Sequence, residues 1–262
     1  MNSLSGKRQP QEKRIAPGVA PARLAAFRAL REMTAGSRGD SGGALDRAVG
    51  ALGLDERDTR LATALALGVL RHRLFLTHQV LRFVRRRPPE PLLLLLEMVA
   101  AQRFLLGRVP PHAIVDDAVR LATGELRLGR REAGFVNAVA RRVVAASAAE
   151  LPPPDDLERH LSVKYSCPPV LLEVVRERFG EAAMEQVLAA MNREPVLALR
   201  VNRLRTTRED LSAFLRALGI ECEAGRWAPD AVIVKDASTL SALLGSEPWQ
   251  TGQFYVQDEA SQ

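Results

Sequence analysis

The chain has only two cysteines, Cys167 and Cys222, in 262 residues. They match no metal-ligand spacing and no disulfide framework. Long apolar runs are missing as well. The longest, Leu92 to Leu96, stops at Glu97, far short of the ~20 residues that cross a bilayer. The N-terminus lacks the apolar stretch of a signal peptide, so a cytoplasmic protein with no membrane and no metal is expected. No glycine-rich loop follows a strand pattern, which leaves no visible nucleotide cradle. The segment from Gly36 to Gly43 is glycine-rich, but helical patterns flank it. Histidine is scarce too. His72 and His78 are six apart, the wrong spacing for two ligands on one helical face. Asp116 and Asp117 are adjacent and point apart on a helix, so they make no acid/base pair. Residue types alone therefore supply no active site.

What the chain does have is an uneven charge. Residues 1–150 hold 25 basic and 14 acidic residues, and residues 151–262 hold 12 and 17. The net charge of +6 thus hides a basic half joined to an acidic half. A basic half points to a polyanion such as nucleic acid, or to an arginine-rich composition with no partner behind it.

Residues 1–20, with Lys7, Arg8, Lys13 and Arg14, are expected to form a disordered basic arm. From Pro21 the pattern is helical, with Leu24, Phe27, Leu30 and Met33 at helical spacing. Arg38 to Gly43 reads as a loop. Asp55 to Asp58 opens one long helical stretch that Arg85-Arg86-Arg87-Pro88-Pro89 terminates. Pro91 to Leu106 is apolar nearly all round and is expected at the centre of a bundle. Ala113–Thr123 and Arg130–Ala149 complete an all-α region over 21–149. Three prolines in Leu151–Asp156 make 150–160 a stiff linker. Beyond it lie two helical pieces, Pro168–Phe179 and Glu181–Asn192. Strand patterns follow at 196–202, 231–234 and 254–256, with a helix opened by Thr207 and closed near Gly219. This order predicts a small α+β domain over 161–251.

The RNA-contact candidates are Arg85, Arg86 and Arg87 at a helix end, Arg130 and Arg131 at a helix start, and Arg141 and Arg142, with Arg200 and Asn202 in the second half. Each arginine reads equally as a solvated face or an RNA contact. Cys167 precedes a helix, where a thiol pKa falls, but it has no partner base and reads as structural. Cys222 reads as core. The end of the chain, Phe254–Val256 then Asp258–Gln262, reads either as a strand and the first turn of a helix or as a frayed tail.

Five segments in order carry a resemblance. Gly68-Val69-Leu70-Arg71, Arg108-Val109-Pro110-Pro111-His112-Ala113 and Gly134-Phe135-Val136-Asn137-Ala138-Val139 resemble landmarks of a NusB-like domain. Asn192-Arg193-Glu194-Pro195 with Leu199-Arg200-Val201-Asn202 resembles the start of the linking domain in the RsmB/Sun family of bacterial 16S rRNA cytosine-5 methyltransferases. Tyr255 to Gln262 resembles that family's opening into its catalytic domain.

The resemblance implies a fold of class α plus α+β. An all-α NusB-like helical bundle is followed by a small RRM-like α+β domain, with 252–262 starting a truncated Rossmann-like methyltransferase domain. It implies an RNA-binding portion of an enzyme that uses S-adenosylmethionine to methylate small-subunit ribosomal RNA. That chemistry needs a cysteine after a proline to attack the base. Cys167 precedes a proline, so no catalytic, cofactor-binding or metal role falls on any residue here, and the chain alone is expected to be an inactive monomer. The alternative is a non-enzymatic NusB-type antitermination factor, which would need only the bundle.

Overall fold

A computed structural model describes residues 18–35, 41–107, 109–193, 196–236 and 239–262. Most of the expected arm, the first half of the loop at 38–43, Arg108 and the Glu194-Pro195 pair lie outside the described residues. The chain divides into two compact units, 1–191 and 192–262.

The first unit is helical. Its elements are α1 (Pro21–Thr34), α2 (Ser41–Leu52), α3 (Glu56–Arg71), α4 (Arg73–Leu81), α5 (Glu90–Ala101), α6 (Pro111–Arg120), α7 (Arg130–Ala145), α8 (Leu157–Tyr165), α9 (Pro169–Phe179) and α10 (Glu181–Met191). Short π-helical turns extend α5 and α6, at Gln102–Leu106 and Leu121–Glu125. Pro21 occupies the first turn of α1, where its missing N–H costs nothing. The Asp55 side chain accepts from the Asp58 amide at 2.7 Å and caps α3. As the all-round apolar pattern predicts, α5 is the central helix, with Leu93 to Ala101 buried against α1, α3, α6 and α7.

Four expectations change. The single long helix after Asp55 is two, because His72 leaves helical geometry (φ −108°, ψ 27°) between α3 and α4. Its second half ends at Leu81, so Arg85 to Arg87 sit in the following turn rather than at a helix end. Residues 41–43 open α2 instead of closing a loop. Segment 150–160 is not a free linker. The Gln79 side chain donates to the Glu150 carbonyl at 2.6 Å and accepts from its amide at 3.1 Å. Residues 157–165 then form α8, with Asp156 as cap. The Phe75 amide donates to Ser166 Oγ at 3.0 Å, and α8 to α10 bury their own small core of Leu161, Cys167, Leu172, Val175, Met184 and Leu188. These helices therefore pack with the helical elements and fall in the first compact unit, 1–191.

The second unit runs β1 (Leu197–Val201), α11 (Arg208–Ala217), β2 (Cys222–Ala224), β3 (Ala231–Val234), α12 (Leu240–Leu244), α13 (Glu247–Gln250) and β4 (Phe254–Val256). The sheet order is β2-β3-β1-β4, all antiparallel. With a helix after β1 and another after β3, this is the split βαβ arrangement of ferredoxin-like and RRM-like domains, as expected. Leu197, Leu199, Val201, Val232, Val234 and Phe254 meet Leu211, Leu215 and Leu243 in the core.

The segment 252–262 differs from its expectation. Phe254–Val256 is the fourth strand of this same sheet, paired Val201↔Phe254, Arg200↔Tyr255 and Leu199↔Val256. The physical reason is the Phe254 side chain, which is buried against Trp249 at 5.6 Å between ring centroids. The following turn, Glu259–Ser261, is a short 3-10 helix capped by Asp258. The Glu259 carboxylate accepts from the amides of Trp227 and Ala228, tying that turn to the β2–β3 loop.

Candidate nucleic-acid interface

Helix α7 organises the basic surface of the first unit. Ala133, Val136, Val139, Ala140, Val143 and Val144 face the core. The 3.6-residue period therefore exposes Arg131, Phe135, Ala138 and Arg142 along one stripe. Arg131 and Phe135 are one turn apart, and Arg142 follows two turns later.

The turn after α4 lies beside this stripe. Phe83, Arg85 and Arg86 join Phe135 and Arg142 around an open depression of about 520 Å³. Its walls are fixed by Phe83. The Arg142 guanidinium lies 5.0 Å from the Phe83 ring centroid and donates to the Phe83 carbonyl at 3.3 Å. Arg82 lies 5.1 Å from the same ring and is itself held by an ion pair with Glu150. The exposed guanidinia of Arg85 and Arg86 have no carboxylate partner among the described residues. The depression thus pairs unneutralised positive charge with an exposed phenylalanine. That combination suits a phosphate backbone with unstacked bases.

The other candidates are dispersed. Arg130 is exposed at the start of α7, where Gly129 gives no side-chain cap. Arg87 is exposed but lies outside the depression. Arg141 turns the other way. Its Nε donates to Asn137 Oδ1 at 3.1 Å, and it lines a separate groove of about 450 Å³ with His112, Val115 and Asp116 between α6 and α7. Arg200 and Asn202 belong to the second unit. The Asn202 amide is used internally, donating to the Gly252 carbonyl at 2.8 Å and accepting from the Leu204 amide at 3.1 Å. It holds the turn after β1 and has little capacity left for a ligand.

Phe83 and Phe135 were not singled out as contacts by sequence reasoning. The spacing of Phe135 and Arg142, seven residues apart on one helix, was the available signal.

The reactive residue types stay structural. Cys167 is buried, its Sγ lies 3.8 Å from the Pro168 carbonyl, and burial pushes the thiol up. Burial lowers His72 and His78, with Arg71 adding to the first and Arg159 and Arg82 to the second. Asp117 is buried and pairs with Arg23 at 3.0 Å, while Asp116 faces outward, so the two acids do diverge. Among the described residues no group of three or more His, Cys, Asp or Glu side chains could hold a metal. No helix is long and apolar enough to cross a membrane among them.

Comparison with known proteins agrees with this architecture. Residues 20–145 match the NusB family. Residues 167–241 match the domain described as Methyltr_RsmF/B-like, ferredoxin-like. The ribosomal RNA small subunit methyltransferase B of Pseudomonas putida is 31% identical over 247 residues, covering 92% of this chain and 53% of that protein. The protein of Bacillus subtilis named "Probable ribosomal RNA small subunit methyltransferase B" is 28% identical over 210 residues, 79% of this chain and 46% of its own length. The crystal structure of PH0851 superposes with a TM-score of 0.65 at 18% identity, covering 94% of this chain and 55% of that one, and supports the fold. The class is thus a protein that joins a NusB-type helical domain to an RsmF/B-type ferredoxin-like domain. Within it, the chain belongs to the ribosomal RNA small subunit methyltransferase B family, RsmB/Sun. The chain spans about half the length of the curated relatives it matches.

Proposed function

We propose that this chain is the RNA-binding portion of a cytoplasmic, S-adenosylmethionine-dependent methyltransferase that modifies a cytosine C5 in small-subunit ribosomal RNA. The observation that carries the RNA-handling role is the depression where Arg85, Arg86 and Arg142 surround Phe83 and Phe135. Arg87, Arg130 and Arg131 extend the positive surface around it, and a strand of RNA lies along α7 with its phosphates on these arginines.

The described residues do not fit S-adenosylmethionine. The sheet among them is antiparallel throughout and does not form the crevice at the carboxyl ends of parallel strands in which doubly wound folds hold their ligands. In this reading the residues present bind and orient RNA for the methyl transfer. The 262-residue chain acts as a monomer and transfers no methyl group on its own.

Two measurements test the reading. Binding to a ribosomal RNA fragment should weaken steeply as salt rises, because phosphate contacts release counterions. A salt-independent affinity would reduce the basic face to incidental solvated charge. Incubation with small-subunit RNA and radiolabelled S-adenosylmethionine should give no incorporation, and cysteine-dependent labelling would overturn the division of labour. The second unit argues against a free-standing NusB-type antitermination factor, which needs only the helical domain.

A further inference from the structure

The ferredoxin-like unit carries an open site of its own. One face of its sheet is closed by α11 and α12 over Leu197, Leu199 and Val201. Strand alternation sends Arg200 to the opposite face. There Tyr255 of β4 is its direct cross-strand partner, close enough for the two side chains to act on one ligand. With Leu204, Val256 and Gln257 they bound an open depression of about 660 Å³.

The polar groups around this depression divide into spent and available. Arg203 is paired with Asp230 at 2.9 Å, and Asn202 holds the turn. Arg200 has no carboxylate partner among the described residues, and its one hydrogen bond is a long one of 3.4 Å to Gln257 Oε1. Tyr255 is 54% exposed, and among the described residues neither its ring nor its hydroxyl has a partner. Leu204 beside it is 95% exposed. The neighbouring Phe254 already does the packing for β4, so the core has no use for the Tyr255 ring.

An exposed flat ring next to one unneutralised guanidinium matches a single nucleotide. The base stacks on Tyr255, and its phosphate meets Arg200. A base inside a duplex presents no free face to the ring. We propose that the Arg200–Tyr255 depression binds one unpaired nucleotide of single-stranded RNA, as a second contact separate from the α7 surface. The inference rests on the reading of the chain as RNA-binding, but not on the α7 depression.

The test uses the whole 262-residue chain with a short single-stranded oligoribonucleotide carrying thiouridine, and the same strand annealed to its complement. Photocrosslinks should map to Tyr255. Tyr255→Ala should weaken single-strand binding about tenfold and leave duplex binding unchanged. Tyr255→Phe keeps the stacking face and should stay within about twofold of the parent. Arg200→Ala should flatten the single-strand salt slope by about 0.7. Unchanged affinity in Tyr255→Ala overturns the proposal and leaves the exposed ring to a protein partner. Equal losses in Tyr255→Ala and Tyr255→Phe also overturn it, because stacking would not be the cause. Crosslinks confined to Phe83 and Phe135 would sink this site while the α7 reading stands. A parent chain that crosslinks to nothing would remove both.

Discussion

The Arg142 guanidinium rests 5.0 Å from the Phe83 ring centroid and hydrogen-bonds the Phe83 carbonyl. This relationship joins a helix to a turn 59 residues away in sequence and brings Arg85 and Arg86 to the exposed face of Phe135. The basic surface is therefore built across two elements.

Arg142→Ala should act on RNA binding in two ways. It removes one cation and releases the turn that presents Arg85 and Arg86. Affinity for single-stranded RNA should fall, and the slope of log affinity against log salt should shrink by more than the ~0.7 expected for one phosphate contact. Arg141→Ala, on the other groove, should have the smaller effect. Fluorescence anisotropy across a salt series separates the two.

Phe135→Ala should weaken single-stranded binding by about 1–3 kcal/mol if a base stacks there. The ring is 37% exposed and only partly packed, so urea unfolding should move by less than about 2 kcal/mol. A large loss of stability would instead make Phe135 a packing residue.

Glu97 gives a pH signature. It is fully buried in α5, accepts from Thr77 Oγ1, and lies 3.3 Å from Arg73 Nε. Burial pushes its carboxyl up, and the contacts with Thr77 and Arg73 only partly oppose this. The folded chain thus holds the Glu97 proton more tightly than the unfolded chain does. This contribution to stability is complete below the ordinary glutamate value near 4.3 and is lost as pH rises through the raised folded value. Glu97→Gln should flatten that part of the stability curve, measured by urea unfolding at several pH values. Arg73→Ala removes a charged partner and should cost about 2 kcal/mol at neutral pH.

Two glycines should respond oppositely to alanine. A Cβ at Gly225 would meet the Ala231 Cβ at 2.3 Å and Glu259 Oε1 at 2.7 Å. Gly225→Ala should therefore destabilise the second unit by about 1–3 kcal/mol. Gly134 is exposed within α7 and has nothing within 4 Å of such a Cβ. Gly134→Ala should stabilise by about 0.5–1 kcal/mol. Thermal unfolding of the two variants shows the contrast.

Much of the fold was legible in the chain itself. Pro21, Asp55 and Thr207 mark helix starts because their effects reach no further than one turn. The apolar run at Leu92–Leu96 placed α5 at the centre, since a helix apolar all round has nowhere else to go. Landmark motifs gave both domain types in order. Other features were not local. The attachment of Glu150 to Gln79 of α4, and of Ser166 after α8 to Phe75, depends on partners 71 and 91 residues away in the chain.

The RNA-contact residues divide the same way. That arginines crowd the first half was visible from composition. That Arg141 and Arg142 face different grooves follows from the ~100° turn between adjacent helical residues, once α6 and the Phe83 turn occupy opposite sides of α7. The sequence by itself determined the helical character of the first half, the strands at 196–202, 231–234 and 254–256, and the sign of the charge in each half, because these follow from periodicity, capping and composition. Only the tertiary structure decided that Phe254–Val256 joins the sheet, that Asn202 is spent on a turn, and that Arg200 lies directly opposite Tyr255. Those outcomes depend on hydrogen-bond partners and core space that lie some fifty residues distant in the chain.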